Sequence, residues 1–387
     1  MRDIVAHIKY GSAEDLAIPG GAIKRSIGFG LSQPGRFLRT FVYDGFNADT
    51  EQRIVFDGIM AHIAGAGRGS FNLRFGQASR DAHAFLNFFY PTDIFPFTDV
   101  EQTDPVTDQS GGLLAAVEPQ FMPKFFQTNS SYEYWGRAAS LLHTTVDGKA
   151  DVEMLPNARI YHFAGGQHLP DKLPPRFKNG QQLNNPNDYS WAMRSLLLAM
   201  DRWITDGTQP PPSRYPRIDD GTLVELSEFN FPALPGIEIP TRPHKAYRVD
   251  YGPDFESRGI ISKQPPGVGP AYPVLVPQVD DDGNETGGLS MPGVAVPLAT
   301  YTGWNLYRPE YGPVDELAHM SGSYIPFATT AEQRQASGDP RPSILERYSD
   351  RAQYLGLVAE YAMQLIDEGY LLSEDLPQIL SRAGAHW

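Results

Sequence analysis

Ile4, Val5 and Ile8 recur at helical spacing among charged neighbours, so the chain is expected to open in an amphipathic helix. Pro19-Gly20 then leads into a strand over 23–29. Arg36 to Asp44 reads as a helix packed behind that strand, and Phe56 to Ala64 as the next core strand. Residues 70 to 120 mix aromatics with Asp, Gly, Pro91, Pro96, Pro105 and Pro119, the pattern of an irregular excursion with a short helix near 79–88. Regularity returns with a strand at Lys124-Phe125-Phe126-Gln127-Thr128, a helix from Tyr132 to Leu142, and a strand over Ala158 to Phe163. Strands alternating with helices imply βαβ units and a parallel sheet, an α/β fold.

Beyond 168 the pattern changes. Residues 169–190 are polar and proline-rich, and Trp191, Leu197, Leu198 and Ile204 then mark a helix from Trp191 to Ile204. Prolines crowd 205–300, including Pro210-Pro211-Pro212, which suggests extended crossings and small strands rather than a second α/β unit. A long helix over Ile344 to Glu368 carries Leu345, Tyr348, Leu355, Val358, Ala362 and Leu365 on one face, and a shorter one follows near 373–383; both read as core. The expected division is a core over 1–204, containing the excursion at 70–120, and a C-terminal region over 205–387 packed on that same core.

With 387 residues and 41% hydrophobic content, the chain buries a core of one large or two modest domains. A formal charge of −14, with no run of Lys or Arg, argues against nucleic acid and against an anionic membrane surface as partners. The absence of cysteine removes disulfides, thiolate catalysis and cysteine-ligated zinc. Residues 1–16 carry charges throughout and lack the continuous apolar core of a signal peptide, and no stretch reads as a transmembrane span, so the compartment stays open.

The candidate chemistry begins at Ile27-Gly28-Phe29-Gly30-Leu31-Ser32-Gln33-Pro34-Gly35-Arg36, a strand that turns sharply into a helix with serine at the turn. A serine hydroxyl is a poor nucleophile at neutral pH and needs exposure, a base and oxyanion donors. Gly28 and Gly30 are expected to supply strained dihedrals before it. Only the first half of GxSxG fits, because Pro34 occupies the second glycine's position, although proline suits the first turn of a helix. Ser32 as a plain helix N-cap is the competing reading. His168 lies in Ala164-Gly165-Gly166-Gln167-His168, on a glycine-flexed loop past the end of a strand, where a base with a pKa near neutrality is useful. His162 competes but sits within the strand. Serine, acid, histidine is the chain order of such sites, and Glu133 follows the strand before the histidine loop; Asp147 and Asp151 remain alternatives. Asp280-Asp281-Asp282-Gly283-Asn284-Glu285 lacks the glycine and glutamate spacing of a calcium loop and reads as a solvated turn.

Taken together, these stretches resemble the alpha/beta hydrolase domain proteins whose elbow reads GxSQSGRxLR. The matching residues are Gly30 to Arg39, with Pro34 where the family has serine. Gly45-Phe46-Asn47, Phe56-Asp57-Gly58, His62-Ile63-Ala64-Gly65, Glu133-Tyr134-Trp135, Gly165 to His168 and Pro297 to Asn305 also match, so the likeness spans most of the chain. It implies a three-layer α/β-hydrolase sheet flanked by helices and a carboxylesterase-type activity on a small-molecule ester. It also implies Ser32, His168 and Glu133 as triad, the Gln33 backbone N–H as an oxyanion donor, and no metal or cofactor. Family members carry early strands before the position of Arg2, so a sheet lacking them, open to pairing at one edge, is expected. The reading from another class is a catalytically impaired fragment, or a noncatalytic α/β protein that binds a ligand or partner through the same cleft.

Overall fold

Four parallel strands, β1 (Ile27–Leu31), β2 (Gly58–His62), β3 (Lys124–Ser130) and β4 (Ala158–Phe163), pair in the order β1-β2-β3-β4 at the centre of the computed structural model. It describes residues 1–11, 21–69, 71 and 93–387. The main helices are α1 (Arg2–Tyr10), α2 (Gln33–Tyr43), α3 (Ser131–Gly136), α4 (Ser190–Asp206), α5 (Arg351–Asp367) and α6 (Leu376–His386). Among the described residues no strand precedes Ile27, so β1 stands at the end of the sheet.

Because successive strand residues face opposite sides, β2, β3 and β4 are buried on both, while the edge strand β1 leaves Phe29 54% exposed. Ile59, Ala61 and Phe125 pack with Leu38, Phe41 and Val42 of α2. Met60 and Phe126 face the other way, into a cluster with Leu196, Met200 and Trp203 of α4 and Tyr354, Val358 and Leu365 of α5. Each such side chain contributes about 1.5–3 kcal/mol on burial. The three-layer α/β arrangement expected from the sequence is the one observed. Three short antiparallel strands, β5 (Leu183–Asn184), β6 (Ala299–Thr302) and β7 (Ser323–Pro326), pair in the order β6-β7-β5. No helix among the described residues is long and apolar enough to cross a membrane.

Register places the ends of the strands together. Leu31 lies opposite His62, and His62 opposite Thr128, while β3 and β4 run two residues further, to Ser130 opposite Phe163. The segments that leave β1, β3 and β4 therefore emerge at one edge.

Several elements differ from expectation. The first strand begins at Ile27 rather than 23, because Ser26 is held by the Asp57 carboxylate and the Val55 carbonyl before the ladder starts. The helix expected over Tyr132 to Leu142 is two pieces, α3 and a 3-10 turn over Ala139–Leu142. Between them Arg137 O accepts the Ala66 N–H, and Ala138 takes φ 48°, which redirects the chain. The long C-terminal helix breaks into Ile344–Arg347 and α5, where Asp350 caps the Gln353 N–H at 2.8 Å. The short helix near 79–88 lies outside the described residues. Phe95 and Phe97, at the described end of the excursion, are buried among Ala139, Tyr272 and Leu275.

Candidate active site

The turn after β1 is tight because two backbones meet there. A Cβ on Gly30 would stand 2.4 Å from the Pro34 carbonyl oxygen and 2.7 Å from the Gly35 nitrogen, so only glycine fits. Neither Gly28 nor Gly30 carries the strained dihedral expected of it. The strain sits on Ser32, at φ 60° and ψ −116°, a conformation that costs a non-glycine residue on the order of 1–3 kcal/mol. The Ser32 N–H donates to His62 O at 2.8 Å, which fixes the turn to the end of β2. Pro34 is absorbed in the first turn of α2, where no intrahelical N–H is needed. Gln33 opens that helix, so its N–H belongs to the amides that have no intrahelical acceptor.

Ser32 occupies the N-cap position of α2, but its side chain makes no cap hydrogen bond. Its hydroxyl meets His168 Nε2 at 3.0 Å, and His168 Nδ1 meets Glu133 Oε1 at 2.6 Å. Three inter-strand spacings separate β1 from β4, about 14 Å; the elbow and the loop after β4 close that gap. His168 is 3% exposed and Glu133 is fully buried.

The carboxylate is aimed by its own helix end. Glu133 Oε2 accepts the Ser130 backbone N–H at 2.9 Å and the Ser130 hydroxyl at 2.6 Å, the return half of a capping box, leaving Oε1 to the imidazole. Burial alone would raise the Glu133 carboxyl, but the neighbouring His168 and the hydrogen bonds from His168 and Ser130 outweigh it and hold it below the usual glutamate value. An ionised Glu133 only accepts, so Nδ1 is the donor, and in the neutral imidazole Nε2 is left to accept from Ser32.

The loop bearing His168 is bonded along its length rather than flexed. Asn187 and Asn185 side chains donate to Ala164 O and Gly165 O, Tyr132 N–H donates to Gly166 O, and the Tyr189 hydroxyl reaches His168 O at 2.6 Å. Beneath it lies the last residue of the acidic run 280–285, whose composition signals only a solvated turn. Glu285 is 8% exposed, and its Oε2 takes His162 Nε2 at 2.7 Å and the Gly165 N–H at 2.8 Å, while Oε1 accepts from Ser131 Oγ. It thus ties the histidine loop to the helix that carries Glu133. The rest of the run behaves as a turn: Asp280 accepts the Asp282 and Asn284 N–H groups, and Asp282 pairs with Arg347.

The alternative acids are engaged elsewhere. Asp147 accepts from Thr145 and Lys149 in an exposed turn, and Asp151 accepts the Ile218 and Asp219 N–H groups. His62, at the end of β2, bonds Thr128 Oγ1 at 2.8 Å and is held down to about 4 chiefly by burial, so it is neutral near pH 7. No group of three or more His, Cys, Asp or Glu among the described residues is arranged to hold a metal ion. Beside His168 a cavity of about 630 Å³ opens, bounded by the loop from Gln167 to Asp171, by Lys178, Asn179 and Asn184, and by Tyr311 and His319 to Ser321.

One family model, described as Alpha/beta hydrolase domain, matches residues 1–381. No curated protein and no solved structure matches the chain.

Proposed function

Since the chain belongs to the alpha/beta hydrolase domain family and is a hydrolase on that ground, we propose that it cleaves carboxylic esters through a serine acyl-enzyme. Ser32 Oγ attacks the ester carbonyl carbon while His168 Nε2 takes the hydroxyl proton, and the carbonyl oxygen becomes an oxyanion facing the Gln33 N–H. Glu133 steadies the imidazolium. The bond to the alcohol oxygen then breaks as His168 returns the proton to that oxygen. In the second half, water loses a proton to His168 and attacks the acyl carbon, and Ser32 leaves with that proton, releasing the carboxylic acid.

The observation that carries this reading is the unbroken relay from Ser32 to His168 to Glu133 at 3.0 and 2.6 Å, at the carboxyl edge of a parallel sheet. The strained serine supports it too, since an ordinary N-cap has no need of φ 60°. Hydrolysis of p-nitrophenyl acetate by the wild type, Ser32→Ala and Glu133→Gln tests it. The expected losses in kcat are about ten-thousandfold for Ser32→Ala and about a thousandfold or more for Glu133→Gln, with KM little changed. Folded wild-type protein without turnover, or Ser32→Ala as active as wild type, would assign the cleft to binding alone.

A further inference from the structure

Given ester hydrolysis as proposed above, His168 must hand a proton to the departing alcohol, so the space that opens at the imidazole is where that alcohol resides. That space is the cavity of about 630 Å³, of a size that encloses a small-molecule ligand. Its walls are built mostly from side chains that carry polar groups. Only Leu169, Pro170 and Met320 are apolar; the remaining lining side chains carry amide, hydroxyl, imidazole, phenol or charged groups.

Asn184 is the most telling of these. It is 3% exposed, its Nδ2 donates to Asp171 Oδ2 at 3.1 Å, and its Oδ1 is buried with no hydrogen-bond partner. A buried acceptor without a donor costs on the order of 1–3 kcal/mol; Oδ1 is covered as the side chain stands, so a ligand hydroxyl recovers that cost when the Asn184 amide shifts to uncover it, and a hydrocarbon recovers none of it. The charges of the cleft cancel, since Lys178 Nζ pairs with Asp171 Oδ2 at 2.6 Å. Asn179 Oδ1 accepts from Ser321 Oγ at 3.2 Å, adding a second amide to the wall. On the rim Tyr311 stands 57% exposed, a large ring with an apolar face for ring C–H groups.

We infer that the cleft takes a neutral polyhydroxylated group, so that the ester cleaved is one whose alcohol portion is a sugar or sugar-like polyol. A hydroxyl of that polyol donates to Asn184 Oδ1, others meet the Asp171–Lys178 pair and the Asn179–Ser321 wall, and the ring rests on Tyr311. The acyl group stays on Ser32 while the polyol leaves with the proton from His168.

Two measurements on the full chain separate this inference from the reaction it rests on. The first is saturation-transfer NMR of methyl glucoside with Ser32→Ala protein, repeated with Asn184→Leu and with the exposed Tyr311→Ala in the same background. Transfer to the sugar is expected, reduced in both double variants; the Tyr311 variant covers a failure of Asn184→Leu to fold. The second compares kcat/KM for methyl 6-O-acetylglucoside and butyl acetate. A sugar-ester preference of about tenfold or more is expected, falling about tenfold on Asn184→Leu or Tyr311→Ala. Sugar binding without hydrolysis of either ester would keep the polyol site and remove the esterase reading. Hydrolysis of butyl acetate as fast as the sugar ester, with no saturation transfer, would overturn the polyol site and leave the esterase standing.

Discussion

Glu285→Ala removes one acceptor from three buried groups at once: the Gly165 N–H, the Ser131 hydroxyl and the His162 ring. Space for compensating water is scant, because Ser131 and His162 are fully buried. Breaking a buried pair such as the carboxylate–histidine contact costs about 3–5 kcal/mol, and each buried donor left without a partner adds on the order of 1–3 kcal/mol, so a loss of at least about 3–5 kcal/mol is expected. Glu285→Gln keeps the shape and an acceptor for His162 and Gly165, and should cost less, about 1–2 kcal/mol. Urea unfolding followed by tryptophan fluorescence measures both. Activity adds a second readout. Gly165 begins the loop that ends in His168, and Ser131 begins the helix that holds Glu133, so kcat should fall more than the folded fraction does while KM changes little. A Glu285→Ala protein within about 0.5 kcal/mol of wild type, the spread of an ordinary surface substitution, would refute the structural role.

Gly30→Ala drives a Cβ to 2.4 Å from a backbone oxygen that cannot move without displacing the elbow. Its expected cost is about 1–3 kcal/mol, with loss of serine reactivity in the protein that still folds; differential scanning fluorimetry alongside ester turnover reads both. Acid should also weaken the fold. His62 and His386 are held down to about 4 and His143 to about 3, each chiefly by burial, whereas the unfolded chain protonates them near 6.5. The unfolded state therefore binds more protons below 6.5, and stability falls as pH drops through that window. Asp99, pushed up to about 7 by burial, acts in the opposite sense, since the folded chain keeps a proton that the unfolded chain loses above 3.8. Three groups against one leave a net loss between pH 6.5 and 5 of about 1–3 kcal/mol, seen as a lower urea midpoint at pH 5; equal midpoints would contradict it.

The parts of this architecture that were legible in the sequence are those written locally. Hydrophobic runs such as Lys124 to Thr128 and Ala158 to Phe163 bounded strands whose ends share an edge, and Ser32, Glu133 and His168 each follow such a strand. What was hidden depends on chain brought from far away. Glu285 lies in an acidic turn whose composition signals only solvent, and its role comes from His162, 123 residues earlier. Nor does the run from Tyr132 to Leu142 betray its break, because Arg137 is turned aside by the approach of Gly65, whose absent Cβ would stand 2.3 Å from Arg137 Cβ. Asn184 carries no motif at all; its unpartnered oxygen exists only once Asp171 has taken the other half of its amide.

Whether the hydroxyl at the end of β1 is a nucleophile is decided most directly by reaction with a fluorophosphonate followed by peptide mass spectrometry. The account predicts one phosphonyl adduct, on the tryptic peptide spanning residues 26–36, with fragment ions that assign it to Ser32 and not Ser26, and no adduct in folded Ser32→Ala or His168→Ala protein. An unlabelled, folded wild-type chain, or a label that persists after Ser32→Ala, would contradict it.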